Sequence, residues 1–151
     1  MGVSQEMVEE EEKRLDIGKL RRIIIKELHF DAAHYLPKEF GKCHNLHGHR
    51  YYIRNLEVIT DRVVDFNRIK EVVDSFDHVL LIPETDFDFW LKLNERLMYE
   101  QGSFKIHVVT INGLTTVENI ALKLKEMLEE IPGVISASFE LYEGDNEGVK
   151  V

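Results

Sequence analysis

Three histidines in the first third of the chain have the type and spacing of metal ligands. His47 and His49 flank a glycine, and residues two apart on a strand point to the same face of a sheet. His34 lies where a first strand would end, so a neighbouring strand could bring it beside the pair. Three imidazoles with an open fourth position are typical of catalytic zinc, although iron, cobalt or nickel also accept them. The alternative is that these are ordinary surface histidines.

The single cysteine, Cys43, lies four residues before His47. A nearby cation favours the thiolate form of a cysteine, and a thiolate can act as a general base. Cys43 could instead be a fourth metal ligand, which would close the ion to a substrate, or a structural thiol. One cysteine excludes an internal disulfide framework and a four-cysteine zinc site, and we expect a reducing, cytoplasmic environment.

Two further groups could take part in the same chemistry. Asp77 precedes His78 directly, and a carboxylate beside an imidazole can fix its tautomer and raise its basicity. The simpler interpretation is a polar pair at the end of a helix. Thr116 and Glu118 begin a long helix, where they could serve as capping residues or lie beside a ligand at the free N–H groups.

Glu143 continues the core-facing register of the last predicted strand, after Ile135, Ala137, Phe139 and Leu141. A carboxylate on that side has to be paired, because its burial alone costs several kcal/mol. Two parallel N–H donors, such as those of a pterin or a guanine, would satisfy it. Alternatively, the strand ends at Tyr142 and Glu143 emerges into water.

The hydrophobic pattern predicts the elements that must position these groups. We expect strands over 20–30, 47–60, 105–112 and 134–143, and helices after Asp65, from about Phe87 to Gly102, and after Thr115. Thr115 and Glu118 have the spacing of a capping box. The order β-β-α-α-β-α-β predicts an α+β fold with a mainly antiparallel sheet and helices on one face.

The chain has 151 residues, of which 44% are hydrophobic and 31% are charged, as in one globular domain. Residues 1–18 are predicted to be an acidic, flexible lead without the apolar region of a secretory signal, and residues 19–151 a single domain. Nineteen basic and 28 acidic side chains give a net charge of −9, which argues against nucleic acid as a partner. No apolar run is long enough to span a membrane.

Six motifs together resemble the 6-pyruvoyl-tetrahydropterin synthase and 6-carboxytetrahydropterin synthase family. The Cys-x3-His-Gly-His motif, with an Ala-Ala-His upstream, is the most specific of them. The matching segments occur in the family's order and cover most of the chain after the lead: FDAAH (30–34), CHNLHGHRY (43–51), VVDF (63–66), DHVLL (77–81), TTVEN (115–119) and Glu143.

The resemblance implies a role for each group. It assigns zinc to His34, His47 and His49. It makes Cys43, Asp77 and His78 the catalytic set, with the thiol as general base. It assigns the pterin to Glu143, aided by Thr116 and Glu118.

The resemblance also implies a tunnelling fold, in which sheets of several subunits close into a barrel. Family members are commonly homohexamers, two trimers face to face, with active sites between subunits. The implied substrate is 7,8-dihydroneopterin triphosphate, with zinc as cofactor. We favour conversion to 6-carboxy-5,6,7,8-tetrahydropterin, acetaldehyde and triphosphate, a step of queuosine-type 7-deazaguanine synthesis. The alternatives are a pyruvoyl-forming synthase, a non-catalytic pterin- or purine-binding module, and a structural zinc protein with Cys43 as a ligand.

Four departures from the family pattern stand out. Thr115 replaces a common proline, Ile82 a common asparagine and Gly144 a frequent threonine. The stretch 83–112 is longer than in compact members. Of the two basic residues near the motif, Lys42 and Arg50, the second should point away from the histidines.

Overall fold

A six-stranded sheet with two helices packed against it forms the body of the protein. The computed structural model describes residues 4–15, 19–102 and 105–151, and elements are given for those residues. The helices are α1 (Gln5–Leu15), α2 (Phe66–Asp74), α3 (Phe87–Gln101) and α4 (Val117–Glu129). The strands are β1 (Arg21–His34), β2 (His47–Thr60), β3 (Val79–Pro83), β4 (Val108–Ile111), β5 (Val134–Glu143) and β6 (Glu147–Lys150). Short 3-10 helices cover Lys38–His44 and Glu84–Asp86.

The sheet has the order β4-β3-β1-β2-β5-β6. The β1–β2, β2–β5 and β5–β6 pairs are antiparallel, whereas β1–β3 and β3–β4 are parallel. Parallel neighbours need a crossover connection, and α2 and α3 supply those crossovers. The sheet is therefore mainly antiparallel, as predicted, with a parallel arm that the sequence pattern did not reveal.

The two faces of the sheet differ in what covers them. Alternate residues of β1, β2 and β5 are buried against α2 and α4, and this packing forms the core. The opposite face carries ion pairs between neighbouring strands: Arg50 with Asp31, Arg54 with Glu27, and Arg22 with Glu57. Of the expected core positions, Ile135 is half exposed, because the β2–β5 register shifts between Ile59 and Thr60.

The helix starts were only partly predicted. Asp65 caps α2 as expected, and its side chain accepts from the Asn67 N–H at 2.8 Å. The cap of α4 that the spacing of Thr115 and Glu118 predicted is wrong by one residue, whereas the alternative capping role of Thr116 is confirmed. Thr116 occupies that position and accepts from the Asn119 N–H, while Thr115 is fully buried. In place of capping, the Thr115 hydroxyl donates to the carbonyl of Tyr35 at 2.9 Å.

The acidic lead contains α1, and residues 1–3 and 16–18 of that lead lie outside the described residues. Within the described residues, no helix has the length and apolar character needed to cross a membrane.

Candidate metal centre

Three histidine rings meet at the closed end of the β1–β2 pair. His34 pairs directly with His47, and Ala32 with His49, so all three imidazoles project from one face. The ring centroids are 4.6 Å apart for His34 and His47, 4.8 Å for His47 and His49, and 5.1 Å for His34 and His49. One ligand atom of each lies within 4.8 Å of the others. The rings are thus close enough to bind one ion.

Backbone carbonyls fix the tautomers of two of these rings. His34 Nδ1 lies 2.7 Å from the carbonyl oxygen of Thr115, and His47 Nδ1 lies 2.5 Å from that of Asn45. A carbonyl oxygen only accepts, so each Nδ1 carries the proton and donates. In the neutral ring this leaves the lone pair on Nε2, which is the form that binds a metal.

The buried Nε2 atoms of the histidines are more readily explained by a bound metal ion than by a site without one. The Nε2 atoms of His34 and His49 are buried and have no hydrogen-bond partner. Burial lowers the pKa of both rings and so favours the neutral form. Buried polar atoms without partners are rare, and an ion is one common explanation. Three imidazoles with available lone pairs form the donor set of an open zinc site.

Glu143 lies beside this cluster. It ends β5, pairs with Tyr51 of β2, and its side chain is 27% exposed. Its Oε1 is 3.0 Å from His49 Nε2, although the two atoms are not aligned for a hydrogen bond. The chain turns at Gly144, with φ 75°, and continues into β6. The carboxylate therefore faces the histidines and does not emerge into open water.

Cys43 lies on the loop that joins β1 to β2. A kink at Gly41, with φ 61° and ψ −125°, reverses the chain in a conformation that favours glycine. The Leu36 N–H then donates to the Cys43 carbonyl at 2.9 Å. The thiol is exposed and does not join the set of converging ligand atoms among the described residues.

Asp77 and His78 form a second polar centre. Asp77 Oδ1 accepts from the Asp31 N–H at 2.8 Å, and Asp77 Oδ2 lies 2.8 Å from His78 Nδ1. The Asp31 N–H, and after it His78, lowers the pKa of Asp77. The His78 N–H donates to the Asp31 carbonyl at 2.7 Å. The backbone of His78 has φ 58°, which is an unfavourable conformation for a residue with a side chain. Such strain is found most often at functional sites.

Within one chain, neither member of this pair joins the converging ligand atoms of the three histidines. His78 lines an open cavity of about 570 Å³ with Asp31, Gly48, His49 and Arg50. On β1 and β2, Asp31, Gly48 and Arg50 alternate with the three histidines, so they occupy the other face of the sheet. Arg50 does point away from the histidines, as predicted, and makes a two-point contact with Asp31 at 2.8 and 2.9 Å.

The other predicted ligand-binding residues lie at the start of α4. Thr116 caps the helix, and Glu118 is exposed in its first turn.

Sequence reasoning missed two residues of the centre. Tyr51 is fully buried, its ring centroid is 5.8 Å from that of His49, and its hydroxyl has no hydrogen-bond partner. The even spacing of 47, 49 and 51 already placed it on the histidine face. Thr115 binds the ring of His34 through a backbone atom, which no side-chain pattern reveals.

Comparison with known proteins gives consistent similarities. The sequence profile described as 6-pyruvoyl tetrahydropterin synthase matches residues 23–151. A Rickettsia bellii protein named 6-carboxy-5,6,7,8-tetrahydropterin synthase is 32% identical over 111 residues, which is 66% of this chain and 75% of that protein. A Rickettsia conorii protein of the same name is 28% identical over 144 residues, covering 83% and 96%. The structure of Plasmodium vivax 6-pyruvoyl tetrahydropterin synthase shares the fold, with a TM-score of 0.55 and 20% identity over 88% of this chain and 97% of that one.

Proposed function

This chain belongs to the 6-pyruvoyl tetrahydropterin synthase family, and we propose that it is the zinc-dependent lyase that forms 6-carboxy-5,6,7,8-tetrahydropterin. The substrate would be 7,8-dihydroneopterin triphosphate, and the other products acetaldehyde and triphosphate. Atom balance requires one water, since cutting the side chain leaves a carboxylate on the ring. The cluster of His34, His47 and His49 carries the proposal, because two of its buried nitrogens have no hydrogen-bond partner in the protein.

The three histidines would hold the metal through Nε2. A divalent ion bound there supplies Lewis-acid chemistry, which acidifies hydroxyl and adjacent C–H groups of a bound substrate. The carbonyls of Thr115 and Asn45 keep two of the rings in the tautomer that this requires.

Glu143 would bind the pterin edge. Its carboxylate can accept two parallel N–H donors, one from the ring and one from the exocyclic amino group. Because it lies 3.0 Å from His49, a pterin bound to it would place its side chain near the histidines. Thr116 and Glu118 would assist from the start of α4.

Cys43 would remove and return protons on the substrate side chain. Its exposed loop position leaves the thiol accessible to a bound molecule. Asp77 and His78 would relay the proton, since the carboxylate 2.8 Å from Nδ1 orients the ring and fixes its tautomer.

Because Asp77 and His78 do not converge with the histidines within one chain, we favour an assembly in which the active site lies between subunits. We propose a homohexamer of two trimers whose sheets close into a barrel. The Asp77–His78 pair of one subunit would then face the histidines of a neighbour. Residues 19–151 would act as one domain, with 1–18 as a lead.

The experiment is product identification after incubation with 7,8-dihydroneopterin triphosphate. The proposal predicts acetaldehyde and 6-carboxy-5,6,7,8-tetrahydropterin in equal amounts. A stable pyruvoyl product without acetaldehyde would assign the chain to the other branch, whose name the matching family profile carries. Binding of pterin without turnover would support the non-catalytic alternative.

A further inference from the structure

The segment between β3 and β4 has no role in the function proposed above. It includes the 3-10 turn Glu84–Asp86 and helix α3. None of the α3 residues is buried, so the helix does not build the core. Two side chains of the segment, Asp86 in the turn and Trp90 in α3, nevertheless contact a residue beside the metal centre.

These two side chains saturate the hydroxyl of Tyr35. The hydroxyl donates to Asp86 Oδ2 at 2.6 Å and accepts from Trp90 Nε1 at 2.8 Å. The rings of Tyr35 and Trp90 are also in contact, with centroids 5.9 Å apart.

Tyr35 follows the first histidine of the cluster directly, and both residues are held by Thr115. The hydroxyl of Thr115 donates to the Tyr35 carbonyl at 2.9 Å, while its own carbonyl accepts from His34 Nδ1 at 2.7 Å. Displacement of Tyr35 would thus move the group that orients the His34 ring.

The next residue, Leu36, links the same stretch to the cysteine loop. Its N–H donates to the Cys43 carbonyl at 2.9 Å, and its carbonyl accepts from His44 Nδ1 at 2.7 Å. One short stretch of backbone, residues 34–36, therefore connects the first histidine with the loop of Cys43.

We propose that Tyr35 is a positioning residue for the metal centre. Asp86 and Trp90 hold its side chain, and through it the long segment after β3 fixes the ring of His34 and the loop of Cys43. The inference rests on the metal site proposed above. The segment between β3 and β4 thereby gains a function, because it stabilises the position of Tyr35 from outside the core.

The test is zinc affinity in the purified, full-length Tyr35→Phe variant. Phenylalanine keeps the ring and removes the hydroxyl, so both bonds to the segment are lost. We expect the zinc dissociation constant, measured by chelator competition, to rise about tenfold, which is the lower end for groups that orient metal ligands. The visible spectrum of the Co²⁺-loaded protein should change as well. Tyr99→Phe is the matched control, because Tyr99 lies on α3 and is 91% exposed.

Two further variants separate positioning from general stability. Trp90→Phe removes one donor and should weaken zinc binding in the same direction, while Asp86→Asn keeps an acceptor for the hydroxyl and should retain most of the affinity. The unfolding temperature of the metal-free protein is measured alongside. If Tyr35→Phe does not fold, Trp90→Phe gives the decisive result.

Three outcomes have distinct meanings. A rise in the dissociation constant for Tyr35→Phe and Trp90→Phe, with Tyr99→Phe unchanged, supports the inference. Values within twofold of the wild type and an unaltered Co²⁺ spectrum overturn it, even if stability falls. Failure of the wild type itself to bind zinc or cobalt overturns the metal site, and this inference with it.

Discussion

The histidine cluster depends on atoms that a residue list does not show. His34 and His47 are oriented by the carbonyls of Thr115 and Asn45, and those contacts decide which nitrogen is free. Because an imidazole must present a lone pair to a metal, these backbone contacts matter as much as the histidines themselves.

Cys43→Ala is predicted to separate metal binding from turnover. Loss of a proton-transfer group typically lowers the rate by about 10²- to 10⁴-fold. Zinc content should stay at the wild-type level, because the thiol does not join the converging ligand atoms. Activity assays and metal analysis of the same preparation check both parts. Unchanged turnover would show that Cys43 is not the base, and lost zinc would make it a ligand.

Tyr51→Phe is predicted to leave the metal-free protein as stable as the wild type or more stable. A buried hydroxyl without a partner costs about 1–3 kcal/mol, and phenylalanine removes it without opening a cavity. Urea denaturation of the metal-free forms measures the difference in the free energy of unfolding. A loss of more than about 1 kcal/mol would mean that the hydroxyl has a partner in solution.

The convergence of the three histidines and the placement of Glu143 beside them could be predicted from the sequence because their spacing matches strand geometry. Alternation of side chains along a strand places His47 and His49 on one face of the sheet, and the hairpin pairing places His34 on the same face. The register of β5 places Glu143 beside them. The roles of Tyr35 and Thr115 could not be predicted. They depend on contacts between residues that are 51 to 81 positions apart in the sequence, and both contacts of Thr115 have a backbone carbonyl as the acceptor.

At the scale of elements, the β1–β2 pair is the scaffold of the metal centre. Its register runs without interruption from Ala32 to His34, opposite His49 to His47. A slip of one residue would turn the paired side chains to opposite faces and disperse the cluster. The loop that joins β1 to β2 carries Cys43, so one hairpin positions both the proposed metal ligands and the proposed general base.

The junction of α2 and β3 gives a pH-dependent prediction. Asp77 has a lowered pKa in the folded protein, first because of the Asp31 N–H. It therefore contributes stability above the unfolded value near pH 4, which is lost as pH falls through the folded value. The contribution is at most about 1 kcal/mol, because the carboxylate is 38% exposed.

Asp77→Asn tests this point, since asparagine keeps an acceptor for the Asp31 N–H. The difference in unfolding free energy between wild type and variant should be constant from pH 5 to 7 and shrink towards pH 3. Denaturant titrations of the metal-free proteins at each pH measure it. A difference that does not vary with pH would show that the carboxylate charge contributes nothing.

Elements with a clear period were predicted, whereas two of the short strands, β3 and β6, were not. The apolar faces of α2 and α4 follow the helical repeat, and both helices occur as expected. Strand β3 has only five residues, three of them buried, and such an apolar run has no period to read. Strand β6 has four residues and depends on pairing with β5, which its sequence does not indicate.

At the scale of the whole molecule, the two polar centres are separate within one chain. The histidine side chains project from the helix-covered face, whereas His78 lines a cavity with Arg50 and Asp31 of the other face, which His49 alone of the three histidines also lines. A single chain therefore holds two groups of the proposed site that do not converge on one point. A head-to-tail association of identical subunits would join them repeatedly and close into a ring.

Mixing two inactive variants tests this arrangement. Co-expressed Cys43→Ala and His78→Ala should regain activity, because some interfaces combine an intact cysteine loop with an intact histidine of the neighbour. Random pairing predicts about a quarter of the wild-type rate. As a control, Cys43→Ala mixed with His49→Ala should regain none, since both changes affect the same half. No recovery in the first mixture would place the whole site within one chain.

The central claim is that three imidazoles hold one ion while the nearby thiol stays unbound. X-ray absorption at the zinc edge of the resting, metal-loaded protein measures this most directly. The account predicts a first shell of nitrogen and oxygen donors at about 2.0–2.1 Å, reduced by one imidazole in His34→Ala. A sulfur scatterer at about 2.3 Å would contradict it, because Cys43 would then close the site.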